Sequence, residues 1–202
     1  MKEKKYFAHE TAIIESNAKI GDNTRIWHFA HVREGSTIGS NCTVGKDCFI
    51  DTSVVIGNGV KIQNGVSIYK GVSIEDDVFI GPNVTFTNDP YPRAFSKNWN
   101  IRQTHIKKGA SIGANATLVC GINIGNYSMI AAGSVVTKNV HDFCIIAGNP
   151  AKIQGFVCIC GSKLNEFERK CDSAVFKCNS CNSEISIPIA IVDSAHQRKH
   201  DE

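Results

Sequence analysis

The chain has 202 residues, 42% of them hydrophobic, and a formal net charge of +3. This length allows one domain, or one domain with a small appendage, and the weak charge without Lys/Arg blocks argues against a nucleic-acid-binding protein. The sequence contains no run of 18 apolar residues, and its first ten residues lack the apolar segment of a signal peptide. We therefore expect a cytoplasmic protein without a membrane span.

An apolar residue recurs at every sixth position along most of the chain. The series comprises Ile14, Ile20, Ile26, Val32, Ile38, Val44, Ile50, Ile56, Ile62, Ile68, Ile74, Ile80 and Phe86, and then Ile106, Ile112, Leu118, Ile124, Ile130 and Val136. A period of six fits neither a helix nor a simple strand, so it predicts a repeat structure. A smaller residue, such as Ala18 or Val54, follows four places later, and we expect it at a tight turn.

Three six-residue units return the chain to its starting side and form one coil. Successive coils then stack at the strand spacing of about 4.8 Å, with the large aliphatic residues in inward-facing ladders. Glycine and asparagine at the turns accept unusual backbone angles. Such a rod needs many coils and covered ends. The sequence thus predicts an all-β fold, a parallel β-helix.

The six-residue period fails once inside the rod. The interval from Phe86 to Ile106 is not a multiple of six. We predict that residues 88–105 leave the rod as an external loop. Its prolines and the aromatic residues Tyr91 and Trp99 favour a functional loop over a disordered one.

The hexads, the loop and the closing AGNPAK (residues 147–152) resemble the left-handed parallel β-helix acyltransferases over about residues 8–155. Residues 61–94 are similar to the bacterial N-acetyltransferases of nucleotide-linked 3-amino sugars. The resemblance implies a domain over 1–155 that uses acetyl-CoA to acetylate a UDP- or dTDP-linked amino sugar for surface polysaccharide or glycan synthesis. It also implies a homotrimer with its sites between subunits.

Asn88 stands where the sugar O-acetyltransferases of this fold have a histidine base. An amide cannot take a proton at neutral pH, whereas an amine with a pKa of about 8 is already partly neutral. Asn88 therefore favours N-acylation, and we assign it the catalytic role of orienting the acceptor amine. A turn residue before Asp89 is the alternative. His105, at the end of the loop, is the candidate replacement base, and a structural or surface role is the alternative.

Large outward side chains predict the acceptor surface. The 18-residue repeat places Arg33, Asp51, Tyr69 and Thr87 in one column, with Arg33 about 14 Å from Thr87. The candidate substrate-binding residues are Arg33, Lys61, Gln63, Tyr69, Asp89 and Tyr91. Lys61 shares a column with Arg25 and is suited to a diphosphate. Solvated surface decoration remains the alternative for these charged and polar side chains.

By resemblance, the last coils bind acetyl-CoA. Backbone groups near Ala114, Ala132 and Gly133 are expected to line the pantetheine groove, with one N–H facing the thioester oxygen. Lys138, Pro150 and Lys152 are expected near the nucleotide and its phosphates, although Pro150 could equally belong to the exit turn of the chain.

The segment 156–202 has a different composition and carries five of the nine cysteines. The pairs Cys158/Cys160 and Cys178/Cys181 have the spacing of a zinc ribbon, with four thiolates around a structural ion. Cys171 is a spare or substitute ligand, and unligated thiols are the alternative. We predict a zinc-ribbon-like extension on the β-helix.

Two other functions remain open at this point. One is acyl transfer to another small acceptor, such as an amino acid or a simple sugar. The other is a non-catalytic β-helix scaffold in which the cysteine-rich extension binds a partner.

Overall fold

The computed structural model describes residues 5–97 and 99–197, and nearly all of its regular structure is β-strand. The first twenty strands are β1 (Phe7–Ala8), β2 (Ile13–Ile14), β3 (Lys19–Ile20), β4 (Arg25–Ile26), β5 (His31–Val32), β6 (Thr37–Ile38), β7 (Thr43–Val44), β8 (Phe49–Ile50), β9 (Val55–Ile56), β10 (Lys61–Ile62), β11 (Ser67–Ile68), β12 (Val72–Ile74), β13 (Phe79–Ile80), β14 (Thr85–Phe86), β15 (Thr104–Ile106), β16 (Ser111–Ile112), β17 (Thr117–Leu118), β18 (Asn123–Ile124), β19 (Met129–Ile130) and β20 (Val135–Val136). The remaining elements are β21 (Cys144–Gly148), β22 (Ala151–Val157), β23 (Lys163–Leu164), β24 (Phe167–Arg169), β25 (Ser173–Lys177), β26 (Glu184–Pro188) and α1 (Ile189–Gln197).

The strands stack in three parallel sheets that form a solenoid of about eight turns. Sheet 1 runs β1-β4-β7-β10-β13-β16-β19-β21, sheet 2 runs β2-β5-β8-β11-β14-β17-β20, and sheet 3 runs β3-β6-β9-β12-β15-β18. Each strand pairs with its counterpart in the next coil, for example Val32 with Ile50. The predicted fold class and the 18-residue coil are confirmed.

Two residues of each hexad point into the core. The apolar residue that recurs at every sixth position is buried, as predicted: Ile26, Ile62 and Ile80 have no exposed surface. The smaller residue four places later is also fully buried, as Val54 and Val60 illustrate. The expectation that it lies at the turn is wrong, because it follows the turn and lies two places before the next inward residue. Alternate residues of an extended chain face the same side, so both fill the interior.

The turns need two different backbone properties. Polar residues at their third position have a positive φ, about 60° at Asn23 and Asn41, a conformation that asparagine tolerates better than most residues. Glycine at the first position instead permits close approach. A Cβ on Gly39 would lie 2.5 Å from the carbonyl oxygen of Gly57 in the next coil.

One coil contains the predicted loop. Val72 pairs with Thr104, whereas the regular repeat would pair it with residue 90, so this coil contains an insertion between β14 and β15. The loop is shorter at its end than the predicted 88–105, because Thr104 and His105 belong to β15 and pair with sheet 3. The loop side chains of Tyr91, Phe95 and Trp99 are 74%, 85% and 70% exposed.

The C-terminal part packs on the last coil. After β21 the chain turns back, and β22 and β23 extend sheet 1 in the antiparallel direction. β22 crosses the domain boundary predicted at residue 155, which stays a prediction. Strands β24–β26 form a fourth, antiparallel sheet. Its Phe176 packs against Phe156 of β22, with 5.3 Å between the ring centroids.

Within the part of the chain that the structure describes, no helix has both the length and the apolar character needed to cross a membrane.

Candidate active site and cysteine cluster

One edge of sheet 2 carries the predicted column of outward residues. The strand register places Arg33, Asp51, Tyr69 and Thr87 on successive coils, each directly after its strand. The column ends at the start of the loop. The structure therefore brings Arg33 and Tyr69 to the same edge as Asn88. The four side chains of the column differ, however, in their burial and in their hydrogen-bond partners.

Asp51 anchors Arg33 instead of facing solvent. Its side chain is nearly buried, with the residue only 8% exposed. Oδ1 accepts hydrogen bonds from Arg33 Nη1 at 3.0 Å and from the Thr52 N–H at 2.7 Å, while Oδ2 accepts the Lys70 N–H at 3.1 Å. Nε of Arg33 also lies 3.6 Å from the Glu15 carboxylate. The guanidinium is thus fixed between two acids, which restricts how it can serve a phosphate.

Glu15 and His31 complete this polar group and were not predicted as site residues. His31 Nε2 lies 2.7 Å from Glu15 Oε1, and Oε2 accepts the Glu34 N–H at 3.0 Å. The Glu34 N–H, His31 and nearby Arg33 together lower the pKa of Glu15. The 18-residue spacing between Glu15 and Arg33 would have identified this acid from the sequence.

An aromatic row continues across the same face. Phe49 makes an edge contact with His31 at 5.7 Å between ring centroids and packs against Tyr69 at 5.8 Å. Tyr69 remains 37% exposed. Phe49 of the preceding coil supports its ring, and the exposed part of the ring is free to contact a substrate.

Hydrogen bonds from two other segments fix the first residues of the loop. The Thr87 hydroxyl accepts the Cys120 N–H at 2.9 Å, and the Asn88 carbonyl accepts the Arg102 N–H at 3.0 Å from the other end of the loop. The Asn88 backbone is therefore held in place. Its side-chain amide makes no hydrogen bond to any residue that the structure describes, which leaves it open to a ligand.

The other predicted site residues in or near the loop differ in their exposure and in their hydrogen-bond partners. The Asp89 carboxylate accepts the Tyr91 N–H at 2.9 Å and so stabilises the turn that follows. Tyr91 is highly exposed. His105, the candidate replacement base, lies in β15 of sheet 3, where Nδ1 is 2.7 Å from the Ser73 hydroxyl. It therefore belongs to a different sheet from the column that leads to Asn88.

Lys61 and Gln63 lie away from Arg33 and Tyr69 within one chain. Lys61 is an exposed residue of β10 in sheet 1, two coils from Arg25, and Gln63 follows that strand. These side chains flank the corner where the chain enters sheet 2, whereas Tyr69 flanks the corner where it leaves. One chain does not bring the predicted substrate residues to a single point.

Ala114, Ala132 and Gly133 meet at one corner of adjacent coils. The Gly133 N–H donates to the Ala114 carbonyl at 2.8 Å, so it is not available to a thioester. In an earlier coil the N–H equivalent to that of Ala114 belongs to Lys46, and it donates to the side chain of Asn64 in the next coil at 3.0 Å.

Alanine has no side-chain acceptor for this purpose. Ala132 occupies the place of Asn64 in the coil after Ala114, and Gly148 occupies it in the coil after Ala132, so neither N–H has an acceptor among residues 5–97 and 99–197. These two groups, and not that of Gly133, are able to bind a carbonyl oxygen of a ligand.

The predicted nucleotide residues lie beyond this corner. Lys138 and Lys152 line one cavity of about 170 Å³, together with His141 and with Ile191 of α1. Pro150 is an exposed turn residue between β21 and β22, preceded by a cis peptide bond, and does not line that cavity. The structure thus groups the two lysines and separates Pro150 from them.

The four predicted metal ligands converge at the C-terminal end. The Sγ atoms of Cys158, Cys160, Cys178 and Cys181 all lie within 4.8 Å of one another. Hydrogen bonds from Ser162 and Ser183 lower the pKa of Cys160 and Cys181, the latter to about 6, while burial raises that of Cys158 to about 12.

Cys171 does not belong to this cluster, although it was considered a substitute ligand. It is exposed and precedes β25, whereas Cys178 follows the same strand. The two are therefore separated by roughly the length of a strand, about 20 Å.

Stacked coils of hexads with one inserted loop define the class of hexapeptide-repeat β-solenoid proteins. The family described as bacterial transferase hexapeptide (six repeats) matches residues 17–52, 53–88 and 103–138. These segments make up more than half of the chain, and the chain belongs to this family.

One relative matches almost from end to end. The dTDP-3-amino-3,6-dideoxy-alpha-D-galactopyranose 3-N-acetyltransferase of Aneurinibacillus thermoaerophilus is 49% identical over 172 residues, which cover 85% of this chain and 88% of that protein. The galactoside O-acetyltransferase of Escherichia coli K12 is 35% identical over 82 residues, 39% of this chain and 40% of that protein.

Two solved structures share the fold. The polySia specific acetyltransferase NeuO has a TM-score of 0.54 and 23% identity, with 73% of this chain and 74% of that chain covered. The acetyltransferase domain of PglB from Neisseria gonorrhoeae FA1090, in complex with acetyl coenzyme A, has a TM-score of 0.50 and 20% identity, with 74% and 57% covered.

Proposed function

We propose that this protein is an acetyl-CoA-dependent N-acetyltransferase that acts on the 3-amino group of a dTDP- or UDP-linked amino sugar. The observation that carries the proposal is the 49% identity, over nearly the whole of both chains, to a 3-N-acetyltransferase of a dTDP-linked amino sugar. A hydroxyl acceptor would require a general base, and an asparagine at position 88 cannot act as one. Asn88 therefore also supports an amine acceptor.

The reaction is direct transfer. The neutral amine of the sugar attacks the thioester carbonyl, the C–S bond breaks, and the products are an amide and CoA. The oxygen of the Asn88 side chain accepts a hydrogen bond from the amine and directs its lone pair at the carbonyl. The amine nitrogen loses a proton, which the departing thiolate or water takes up.

Acetyl-CoA binding draws on the last coils. We assign the open N–H groups of Ala114 and Ala132 to the amide and thioester oxygens of the acyl arm, because neither has an acceptor within the described part of the chain. Lys138 and Lys152, which line one cavity, provide positive charge suited to the phosphates of the nucleotide.

We place the acceptor site between subunits of a homotrimer. Lys61 and Gln63 lie at one corner of sheet 2, and Arg33 and Tyr69 at the other, so a neighbouring chain is needed to bring the two sets together. The highly exposed Phe95 and Trp99 on the loop would be covered by that neighbour. Light scattering should give the mass of a trimer, and Phe95→Ser should reduce it. A monomeric parent protein would contradict this arrangement.

The product would serve surface polysaccharide or glycan synthesis, with the transfer in the cytoplasm. The test is release of CoA thiol from acetyl-CoA with dTDP- and UDP-linked 3-amino sugars, 4-amino sugars and their hydroxyl analogues. We expect turnover with a 3-amino sugar. Activity confined to 4-amino or hydroxyl acceptors would overturn the acceptor assignment, and the absence of any thermal shift with CoA would favour a scaffold.

A further inference from the structure

We propose that Cys158, Cys160, Cys178 and Cys181 bind one Zn²⁺ ion in a closed, structural site, and that this ion fastens the C-terminal sheet to the end of the β-helix. The inference does not depend on the proposed acetyl transfer. It concerns residues outside the candidate active site.

The sulfur positions fit a tetrahedral zinc ion. With Zn–S bonds of about 2.3 Å, the sulfur atoms of such a site are about 3.8 Å apart. The structure gives 3.5 Å between Cys158 and Cys181 and 3.7 Å between Cys160 and Cys178, with every pair within 4.8 Å. These separations are far longer than the disulfide bond length of about 2.05 Å.

Two tight turns present the four ligands. In the first turn the Gly161 N–H donates to the Cys158 carbonyl at 2.9 Å, and in the second the Asn182 N–H donates to the Cys178 carbonyl at 2.9 Å. Gly161 and Asn182 both have positive φ, at 89° and 61°. The second turn is one residue longer than the first, and its cysteine pair is spaced one residue wider, so each turn holds both of its cysteines beside the shared centre.

The two turns belong to different sheets. Cys158 and Cys160 follow β22, which continues sheet 1 of the β-helix, while Cys178 and Cys181 connect β25 to β26 in the fourth sheet. An ion bound by all four cysteines therefore joins the end of the β-helix to the C-terminal sheet.

This connection has a structural purpose. The last coil needs a cover, because the end of a solenoid exposes apolar residues and unpaired strand edges. Ile187 of β26 and Val192 of α1 are buried in the same apolar cluster as Val140 and Ile146 of the last coil. A segment this short buries little apolar surface of its own, and a structural metal is the usual compensation.

The first test is metal content. Protein without a polyhistidine tag, produced in zinc-supplemented medium and purified without chelators, should contain one zinc atom per chain by mass spectrometry of metals. Cys181→Ser and Cys160→Ser remove exposed ligands and should lower the zinc content to background. Cys171→Ser is the matched control and should retain the full amount.

A second measurement covers the case in which a ligand variant fails to fold. Unaltered protein titrated with an organomercurial should release zinc, followed with a colorimetric zinc indicator, in proportion to the thiols that react. Unaltered protein that contains no metal, or iron in place of zinc, would overturn the proposal. Equal loss of zinc from Cys171→Ser would also overturn it.

Discussion

The guanidinium of Arg33 donates a 3.0 Å hydrogen bond to the carboxylate of Asp51, which lies one coil further along the β-helix. This bond connects two side chains that the 18-residue repeat places in one column. Because Asp51 is nearly buried and also accepts two backbone N–H groups, it holds Arg33 in one position on the proposed acceptor surface.

Asp51→Asn should destabilise the protein by about 2 kcal/mol, since one buried acceptor is replaced by an N–H₂ group that cannot accept. Depending on which oxygen is replaced, either the Lys70 N–H or both Arg33 and the Thr52 N–H lose their acceptor. Urea denaturation measures the change, and the KM for the nucleotide sugar should rise because Arg33 is released. Asp47→Asn, at an exposed turn, is the control and should change neither value. Unchanged stability of Asp51→Asn would contradict this account.

Glu15 should contribute to acid sensitivity. Its pKa lies below the ordinary value of 4.5, chiefly because of the Glu34 N–H and also because of His31 and Arg33. A lowered pKa in the folded state adds stability above the unfolded value, and this stability is lost as the pH falls through the folded value.

Melting temperatures measured from about pH 6 down to about pH 3 should therefore decline less steeply in Glu15→Gln than in the unaltered protein. Glu10→Gln, at an exposed position, should leave the decline unchanged. Identical acid profiles for Glu15→Gln and the unaltered protein would show that this carboxylate is not coupled to folding.

Asn88→Ala should lower kcat by about 10- to 100-fold, because an acceptor amine that is no longer oriented reaches the thioester less often. The KM for acetyl-CoA should not change, since the residues assigned to that ligand lie in the last coils. Steady-state kinetics with saturating amino sugar separates the two effects. Asn100→Ala, elsewhere in the loop, serves as the control, and full kcat/KM in Asn88→Ala would remove the catalytic role.

The cysteines of the β-helix should resist modification. Burial raises the pKa of Cys48 to about 11 and that of Cys144 to about 12. At about pH 8 a disulfide reagent should therefore modify the exposed thiols of Cys160, Cys171 and Cys181 before those of Cys48 and Cys144. Rapid labelling of Cys48 or Cys144 in folded protein, read by peptide mass spectrometry, would contradict the burial.

The buried thiols of Cys48 and Cys144 also predict that the folded protein loses stability at alkaline pH. A thiol with the ordinary pKa of 9.0 ionises in the unfolded chain while the buried group keeps its proton. The unfolded state then binds fewer protons, so stability declines as the pH rises from about 9 towards the folded values. Cys144→Ala should show a shallower decline over that range than the unaltered protein.

The sequence predicted the fold well because the repeat is local. A residue such as Ile62 has its position fixed by the hexad, and the stacking of coils places it on Val44. The same arithmetic placed Arg33, Asp51 and Tyr69 in one column. The position of the small residue was mistaken, because the period alone does not distinguish the turn from the inward place that follows it.

Side-chain contacts were less predictable. The sequence suggested Arg33 as a substrate-binding residue, but its partners Asp51 and Glu15 depend on rotamers and on burial. His105 was assigned to the loop, yet its backbone pairs with sheet 3. Spacing distinguished the two cysteine pairs but left Cys171 open as a substitute ligand, and only the course of β25 places it away from the cluster.

Spacing along one chain was enough to specify the β-helix, the coil that contains the loop and the two cysteine pairs. Which groups are already satisfied and which are open depended on the folded arrangement. Folding fixed Arg33 between two acids and brought four thiols from two sheets together, and it left the N–H groups of Ala114 and Ala132 without an acceptor among the described residues. Those outcomes arise from contacts between coils and sheets, which spacing does not specify.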